Sequence, residues 1–185
     1  MNDLSRTLVE TLWSVPGDEV YAVLDAARDP LVFLMVRACG VPYECLYAGP
    51  IPRELAEVAP YVVHLRRDHA FTAELLDEGW GKSWGVFVTA PCDLETVRRH
   101  LRHFLRVKRE DGRTMVFRYY DPRVLRVYLP TCTDAELTTF FGPLSRFVLE
   151  DRDPSRAVVY AQGGGAWSTS KVTLGDPTVW AGAAE

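Results

Sequence analysis

The chain has 185 residues, of which 48% are hydrophobic and 25% charged, and its formal net charge at pH 7 is −4. This composition is typical of one globular domain with a substantial core and excludes a disordered protein. Its apolar runs are far shorter than the roughly 20 residues of a membrane span, and its N-terminus does not resemble a signal peptide, so we expect a cytoplasmic protein.

Apolar runs of strand length alternate with segments of helical period over the first 120 residues. The pattern predicts strands at residues 21–25, 43–47, 61–65, 84–90 and 114–120, and helices at residues 31–38, 53–58, 71–78 and 94–107. Val23, Val86 and Val88 lie in runs without a polar face, as in strands that are covered on both sides. We therefore predict an α/β domain with a mixed, partly parallel sheet and helices on both faces.

The pattern changes after residue 121. Two short helices are predicted at residues 122–129 and 134–140, and strands at residues 147–149 and 158–161 are expected to form a hairpin at the sheet edge. Gly, Ser and Ala dominate from residue 162, which indicates a loosely held tail. The predicted organisation is a helical lead-in at 1–19, an α/β domain at 20–150, and an edge strand with the tail at 151–185.

The segment at residues 98–126 is strongly basic, with ten of the 21 Lys and Arg residues but only three of the 25 acidic residues. On a helix with about 100° per residue, its apolar positions share one arc and its arginines an adjoining arc. Such a polarised surface attracts acidic partners. The candidate partner-binding residues are therefore Arg99, Arg102, Arg106 and Arg109.

The end of this segment contains an Asp-Pro step. The predicted strand places Arg118 and Tyr120 on one face, where a guanidinium needs a carboxylate or an aromatic ring as a neighbour. Asp121 is predicted to pair with Arg118 or Arg123. It is also placed to cap the next helix, with Pro122 at the first helical position.

Metal binding is not predicted. His100 and His103 have the HxxH spacing of a metal pair, but no third ligand lies nearby in the sequence. The four cysteines show neither a CxxC pair nor zinc-like spacing. We interpret His100 as a hydrogen-bonded residue at the edge of the core and expect no cofactor.

Several motifs occur in a specific order along the chain: YAVLDAA, APYVVHL, WGVFV, RHLRHFLRV, DGRTMVFRYYDPRVL and FFGP. Together they resemble the type VI secretion effector chaperones or adaptors, the Tap or TEC proteins, which were long described as a domain of unknown function. The resemblance covers residues 21–149. It implies a non-enzymatic protein that binds a toxic effector and helps to load it onto the VgrG spike. We expect neither nucleic acid nor a membrane as a partner.

The resemblance rests on a small set of motif positions. Its polar members are interpreted as a buried framework, and the exposed arginines are better candidates for contact with a partner. Candidate aromatic anchors for such a partner are Tyr43, Tyr47, Trp13, Trp80 and Trp167. The matching motif positions are His100, Leu101, Arg102, Phe117, Arg118, Tyr120, Asp121, Pro122 and Arg123.

Two other classes of function remain open from the sequence. A nucleic-acid-binding module would use the basic helix on phosphates and Tyr119 or Tyr120 for base stacking, although the isoelectric point of about 5.6 disfavours it. A small α/β hydrolase-like enzyme would use Asp25 or Asp121 at the end of a strand. No nucleophile elbow or phosphate-binding loop accompanies these carboxylates.

Overall fold

The computed structural model describes residues 3–108, 112–163 and 166–175. Every helix predicted from the sequence is confirmed in this part of the chain, and α1 precedes the sheet. None of the described helices is long and apolar enough to cross a membrane. The α-helices of the described ranges are α1 Asp3–Leu12, α2 Pro30–Ala38, α3 Arg53–Ala56, α4 Ala70–Gly79, α5 Leu94–His103, α6 Pro122–Tyr128 and α7 Asp134–Phe141.

The described strands form one large sheet and one small hairpin. The strands of the large sheet are β1 Glu19–Asp25, β2 Tyr43–Cys45, β3 Pro60–Leu65, β4 Gly85–Ala90, β7 Arg146–Glu150, β8 Arg156–Gly163 and β9 Ala166–Thr173. They are arranged in the order β2-β3-β1-β4-β7-β8-β9. The hairpin pairs β5, Arg106–Lys108, with β6, Thr114–Val116.

All neighbouring strands of the large sheet are antiparallel, so the prediction of a partly parallel sheet is wrong. The prediction rested on strands without a polar face. An antiparallel sheet that is covered by helices on both faces needs the same apolar residues, so the composition of a strand does not report its direction.

Helices on both faces are confirmed by two separate hydrophobic cores. Val20 and Leu24 of β1 belong to the core that contains the buried residues of α1, α2 and α4. Tyr21 and Val23 point to the other face and pack with buried residues of α5, α6 and α7. Successive side chains of β1 therefore point alternately into the two cores, as the pleat of a strand requires.

Helix α5 ends at His103, four residues before its predicted end. Residues 106–108 leave the helix because they pair with residues 114–116 in the β5–β6 hairpin. The strand predicted at 114–120 correspondingly ends at Val116, and the chain then turns, with the Asp121 N–H donating to the Arg118 carbonyl at 3.0 Å. As a result Tyr119 and Tyr120, expected on opposite faces, are both buried.

The predicted hairpin near the C-terminus is confirmed, but it does not lie at the sheet edge. Strands β7 and β8 pair antiparallel, and β9 then pairs with β8 over eight residues. The prediction of a loosely held tail is thus wrong for residues 166–173. Most of their side chains are exposed, so the strand depends on backbone hydrogen bonds that its polar composition did not indicate. Residues 176–185 lie outside the described part.

Candidate functional site

His100 joins two of the sequence motifs. Its Nε2 lies 2.8 Å from the carbonyl oxygen of Phe140, and its ring meets Phe104 edge to face. Burial lowers the pKa of His100 below its ordinary value, which favours the neutral ring. The imidazole also fills the space beside Gly142, where an added Cβ would lie 2.3 Å from Cε1.

Gly142 therefore has two reasons to be glycine. It lacks a side chain that would collide with His100, and its φ of 52° lies in the left-handed region that other residues avoid. The HLR motif of α5 and the FFGP motif at the end of α7 are thus parts of one packed cluster. His103, the other member of the HxxH pair, is exposed. No group of three or more potential ligands in the described ranges is arranged to hold a metal ion.

The aromatic residues after β6 fix the hairpin to α5. The Tyr119 hydroxyl donates to the carbonyl of Leu101 at 2.9 Å, and burial raises the pKa of Tyr119 well above its ordinary value. Phe117 donates its backbone N–H to the Leu105 carbonyl and packs against Tyr128. Leu101 and both tyrosines of the motif are buried, so neither Tyr119 nor Tyr120 is exposed for stacking on a base.

Arg118 forms an ion pair with Asp25, at the end of β1. The Asp25 side chain is almost completely buried, whereas Arg118 remains 43% exposed. The hydrogen bond to Asp25 raises the pKa of the Arg118 guanidinium. Asp25 also accepts the N–H of Ala27 at 3.1 Å. The sequence did not predict this partner, because the two residues are 93 positions apart.

Asp121 caps α6, as the sequence predicts. Its Oδ1 accepts the N–H of Arg123 at 2.9 Å, and Pro122 occupies the start of the helix. The Arg123 side chain adds hydrogen bonds of 2.9 and 2.6 Å to the same carboxylate. Burial acts to raise the pKa of Asp121, but the hydrogen bonds from Arg123 outweigh it and lower the pKa. By geometry Asp121 forms its ion pair with Arg123, at 2.6 Å, whereas Arg118 forms its ion pair with Asp25.

An open groove of about 450 Å³ lies beside this framework. Leu46 and Leu105 are buried at its floor, while Leu55 and Val116 form walls that reach solvent, with exposed fractions of 40% and 55%. The lining residues come from the loop after β2, from α3 and α5, and from the hairpin. They are Leu46, Tyr47, Ala48, Ile51, Leu55, Arg102, Leu105, Arg106 and Val116.

Two of the four candidate partner-binding arginines, Arg102 and Arg106, line this groove. Within the described ranges, neither guanidinium has a hydrogen bond or an ion pair. Arg99 lies beside Arg102 in an adjoining pocket and contacts the Thr96 hydroxyl at 3.5 Å. Arg106 belongs to β5, so the arginines do not share one helix face as predicted. Arg109 lies outside the described residues.

The candidate anchors separate into different environments. Tyr47 lines the groove, and burial together with the Asp25 carboxylate raises its pKa, which keeps the hydroxyl a hydrogen-bond donor. Trp80 is buried and donates from Nε1 to the Pro154 carbonyl at 2.7 Å, so it is part of the core. Sequence reasoning missed the groove walls Ile51 and Leu55. In the sequence, the indication of these walls was an apolar residue between two prolines. In the structure, the short helix that follows has no buried residue.

A buried carboxylate outside the motifs was also missed. Glu150, at the end of β7, accepts the N–H groups of Gly81 and Ser83 at 2.9 and 3.1 Å. Burial raises the pKa of Glu150 to about 7. Ser83 has a φ of 57°, so this carboxylate holds a turn in an unfavourable conformation. Its contacts are internal, which indicates a structural role.

The antiparallel sheet removes the argument that selected Asp25 and Asp121 as hydrolase residues. Ligands gather at the carboxyl ends of strands in open α/β sheets whose strands are mostly parallel. Here neighbouring strands run in opposite directions, and both carboxylates are engaged by arginines.

The groove and all of the framework except Phe140 and Gly142 lie in a region that comparison with known families identifies. The chain belongs to the family described as a domain of unknown function, DUF4123, whose model matches residues 20–139. The match begins in β1 and includes α5, the hairpin and α6. Comparisons with curated proteins and with solved structures find no match for this chain.

Proposed function

We propose that this protein is a non-enzymatic adaptor that binds one type VI secretion effector in the cytoplasm and promotes its loading onto the VgrG spike. The order of sequence motifs supports this function through its resemblance to effector chaperones. The observation that carries it is the open apolar groove edged by Arg102 and Arg106. Arg118, Asp121 and Arg123 of the motif, in contrast, are engaged by partners within the chain.

The groove combines the two features that a protein-binding surface needs. Apolar walls and Tyr47 offer sites for a few buried anchors, which supply most of the affinity in protein interfaces. The arginines at the edge select a partner of opposite charge and accelerate encounter. Apart from the two arginines, the half-buried Tyr47 is the only polar side chain in the described lining, which fits a protein partner better than a reacting substrate.

Secretion by the native bacterium tests this function. Deletion of the gene should remove one effector from the culture supernatant, measured by mass spectrometry, while the secretion apparatus continues to export its tube protein. That effector should also cease to co-precipitate with VgrG from the cytoplasm. Unchanged secretion of every effector, or loss of export as a whole, would contradict the proposed role.

Complementation then connects the function to the groove. Wild-type protein should restore secretion, and a variant with Arg102→Glu and Arg106→Glu should restore it about tenfold less well, because rim charges change association strongly. The control carries Arg6→Glu and Arg152→Glu, which make the same change in net charge. Arg6 lies on α1 and Arg152 in the loop after β7, so the control should behave as wild type.

A further inference from the structure

The groove has the form of a binding site for side chains from another protein. Its floor is closed by Leu46 and Leu105, which are 0% and 6% exposed, while Leu55 and Val116 leave large apolar areas in solvent. Exposed apolar residues that adjoin a concave surface with a polar edge mark interaction sites more often than isolated exposed residues do.

The charge at the edge of the groove is one-sided. Arg102 and Arg106 line it together, and no carboxylate belongs to its described lining. Several surface arginines elsewhere have carboxylate partners, such as Arg53 with Glu57 at 2.8 Å and Arg156 with Asp153 at 2.9 Å. Arg102 and Arg106 flank an apolar surface and have no carboxylate of this kind among the described residues, and a partner with carboxylates would supply the counter-charge.

The lining also distinguishes between classes of ligand. Small-molecule sites enclose most of the surface of their ligand, whereas the groove walls Leu55 and Val116 are open to solvent. Apart from the two arginines, the described lining offers only the Tyr47 hydroxyl and backbone groups. The pocket volume of about 450 Å³ is instead sufficient for a few large apolar side chains from one peptide segment.

We infer that the groove binds a single segment of the effector in which large apolar side chains are flanked by Asp or Glu. The apolar side chains occupy the space between Leu55 and Val116 above the floor, and the carboxylates pair with Arg102 and Arg106. This inference rests on the proposed function, because it assigns the site and the chemistry of the same partner.

Crosslinking in the native bacterium tests the inference with the full chain. The photoreactive amino acid p-benzoylphenylalanine replaces Val116, in the groove wall, or Val127, which is 63% exposed on α6 and does not line the groove. The effector is first identified by its loss from the supernatant of the deletion strain. Position 116 should crosslink that effector through a segment with apolar residues next to Asp or Glu, and position 127 should not crosslink that segment.

A charge exchange adds a second readout. The Arg102→Glu and Arg106→Glu changes should reduce the crosslink at position 116 by about tenfold or more, since the new charges repel the carboxylates. Changing the acidic residues of the crosslinked segment to Lys should restore it. The Arg6→Glu and Arg152→Glu control should leave the crosslink unchanged. If the charge exchange does not restore the crosslink, the inferred pairing is wrong.

The remaining outcomes separate the inference from the proposed function. A crosslink at position 116 to a second copy of this chain, to nucleic acid or to an effector segment without carboxylates would overturn the inference. An effector that depends on this protein for secretion but crosslinks only at position 127 would leave the adaptor function intact and remove the groove as its site. An effector that is secreted normally in the deletion strain would count against both.

Discussion

Two regions that share the basic segment at residues 98–126 differ in whether their charged side chains have partners within the chain. The motif framework consists of Asp25, His100, Arg118, Asp121, Arg123, Phe140 and Gly142, and its polar groups are engaged inside the chain. The groove edge consists of Arg102 and Arg106, whose guanidinium groups have no partner among the described residues. The difference indicates that positive charge in a sequence marks a contact surface only where the fold leaves it unpaired.

The comparison predicts that the framework is sensitive to substitution, and Gly142→Ala should have the largest effect. A Cβ at this position would lie 2.3 Å from His100 Cε1, in a backbone conformation with φ of 52°. We expect a loss of about 3 kcal/mol or more in the free energy of unfolding, measured by urea denaturation.

Gly17→Ala is the matched control, because Gly17 also has a positive φ, of 87°, but no atom lies within 4 Å of its added Cβ. It should lose only about 1 kcal/mol, the cost of the backbone conformation alone. Equal losses in the two variants would show that the contact with His100 contributes nothing.

Arg118→Met should have the next largest effect. It leaves the buried Asp25 carboxylate without its guanidinium partner. Removal of one partner from a fully buried pair costs about 3–5 kcal/mol, and we expect about 2 kcal/mol here because Arg118 is partly exposed to solvent. Thermal and urea denaturation measure the loss.

The double variant Asp25→Asn with Arg118→Met isolates the charge in this pair. The asparagine side chain keeps the acceptor for the Ala27 N–H but carries no charge, so the double variant should be more stable than Arg118→Met alone. If it is less stable, the cost arises from lost packing and not from an unpaired carboxylate.

Asp121→Ala tests a smaller contribution of the framework, the cap of α6. Asp29 caps α2 in the same Asp-Pro arrangement, with its Oδ1 accepting the Leu31 N–H at 2.9 Å, but the next residues there include no arginine like Arg123. Loss of such a cap costs about 1 kcal/mol. Asp121→Ala should therefore cost more than Asp29→Ala, by the contribution of Arg123, in urea denaturation. If the two variants lose the same free energy of unfolding, Asp121 acts only as a helix cap and its pairing with Arg123 adds no stability.

The groove edge should show the smallest effect on stability. The double change of Arg102 and Arg106 to Glu removes no hydrogen bond or ion pair among the described residues, so the free energy of unfolding should change by about 0.5 kcal/mol or less. A larger loss, measured against the wild-type protein, would place these arginines in the framework and remove the contrast between the two regions.

Much of the secondary structure was predictable because local signals were strong. The Asp-Pro steps at residues 29–30 and 121–122 begin helices α2 and α6, and both carboxylates cap as this chemistry predicts. Sheet direction was not predictable in this way. Val23 lies opposite both Val62 and Val86, in antiparallel ladders whose apolar residues would suit parallel ones equally well.

The candidate site was predictable only in part. The charge and order of the motifs selected the arginines of α5 and the His100, Arg118 and Asp121 positions. The Asp25 partner of Arg118 and the groove wall at Leu55 were missed, since both come from segments far away in the sequence. The prediction that Arg106 shares one helix face with the other arginines was also wrong, because residue 106 pairs with Val116 in a hairpin where the last turn of the helix was predicted.

The sequence alone determined the helix caps, the apolar runs that became strands, and the concentration of arginine in one segment, because these depend on neighbours a few residues apart. Only the tertiary structure decided which arginines are paired and which face an open groove. The pairing depends on contacts such as that of Arg118 with Asp25, and the groove depends on the position of Leu55 beside α5 and the hairpin. Both arise only when segments that are distant in the sequence pack on one sheet.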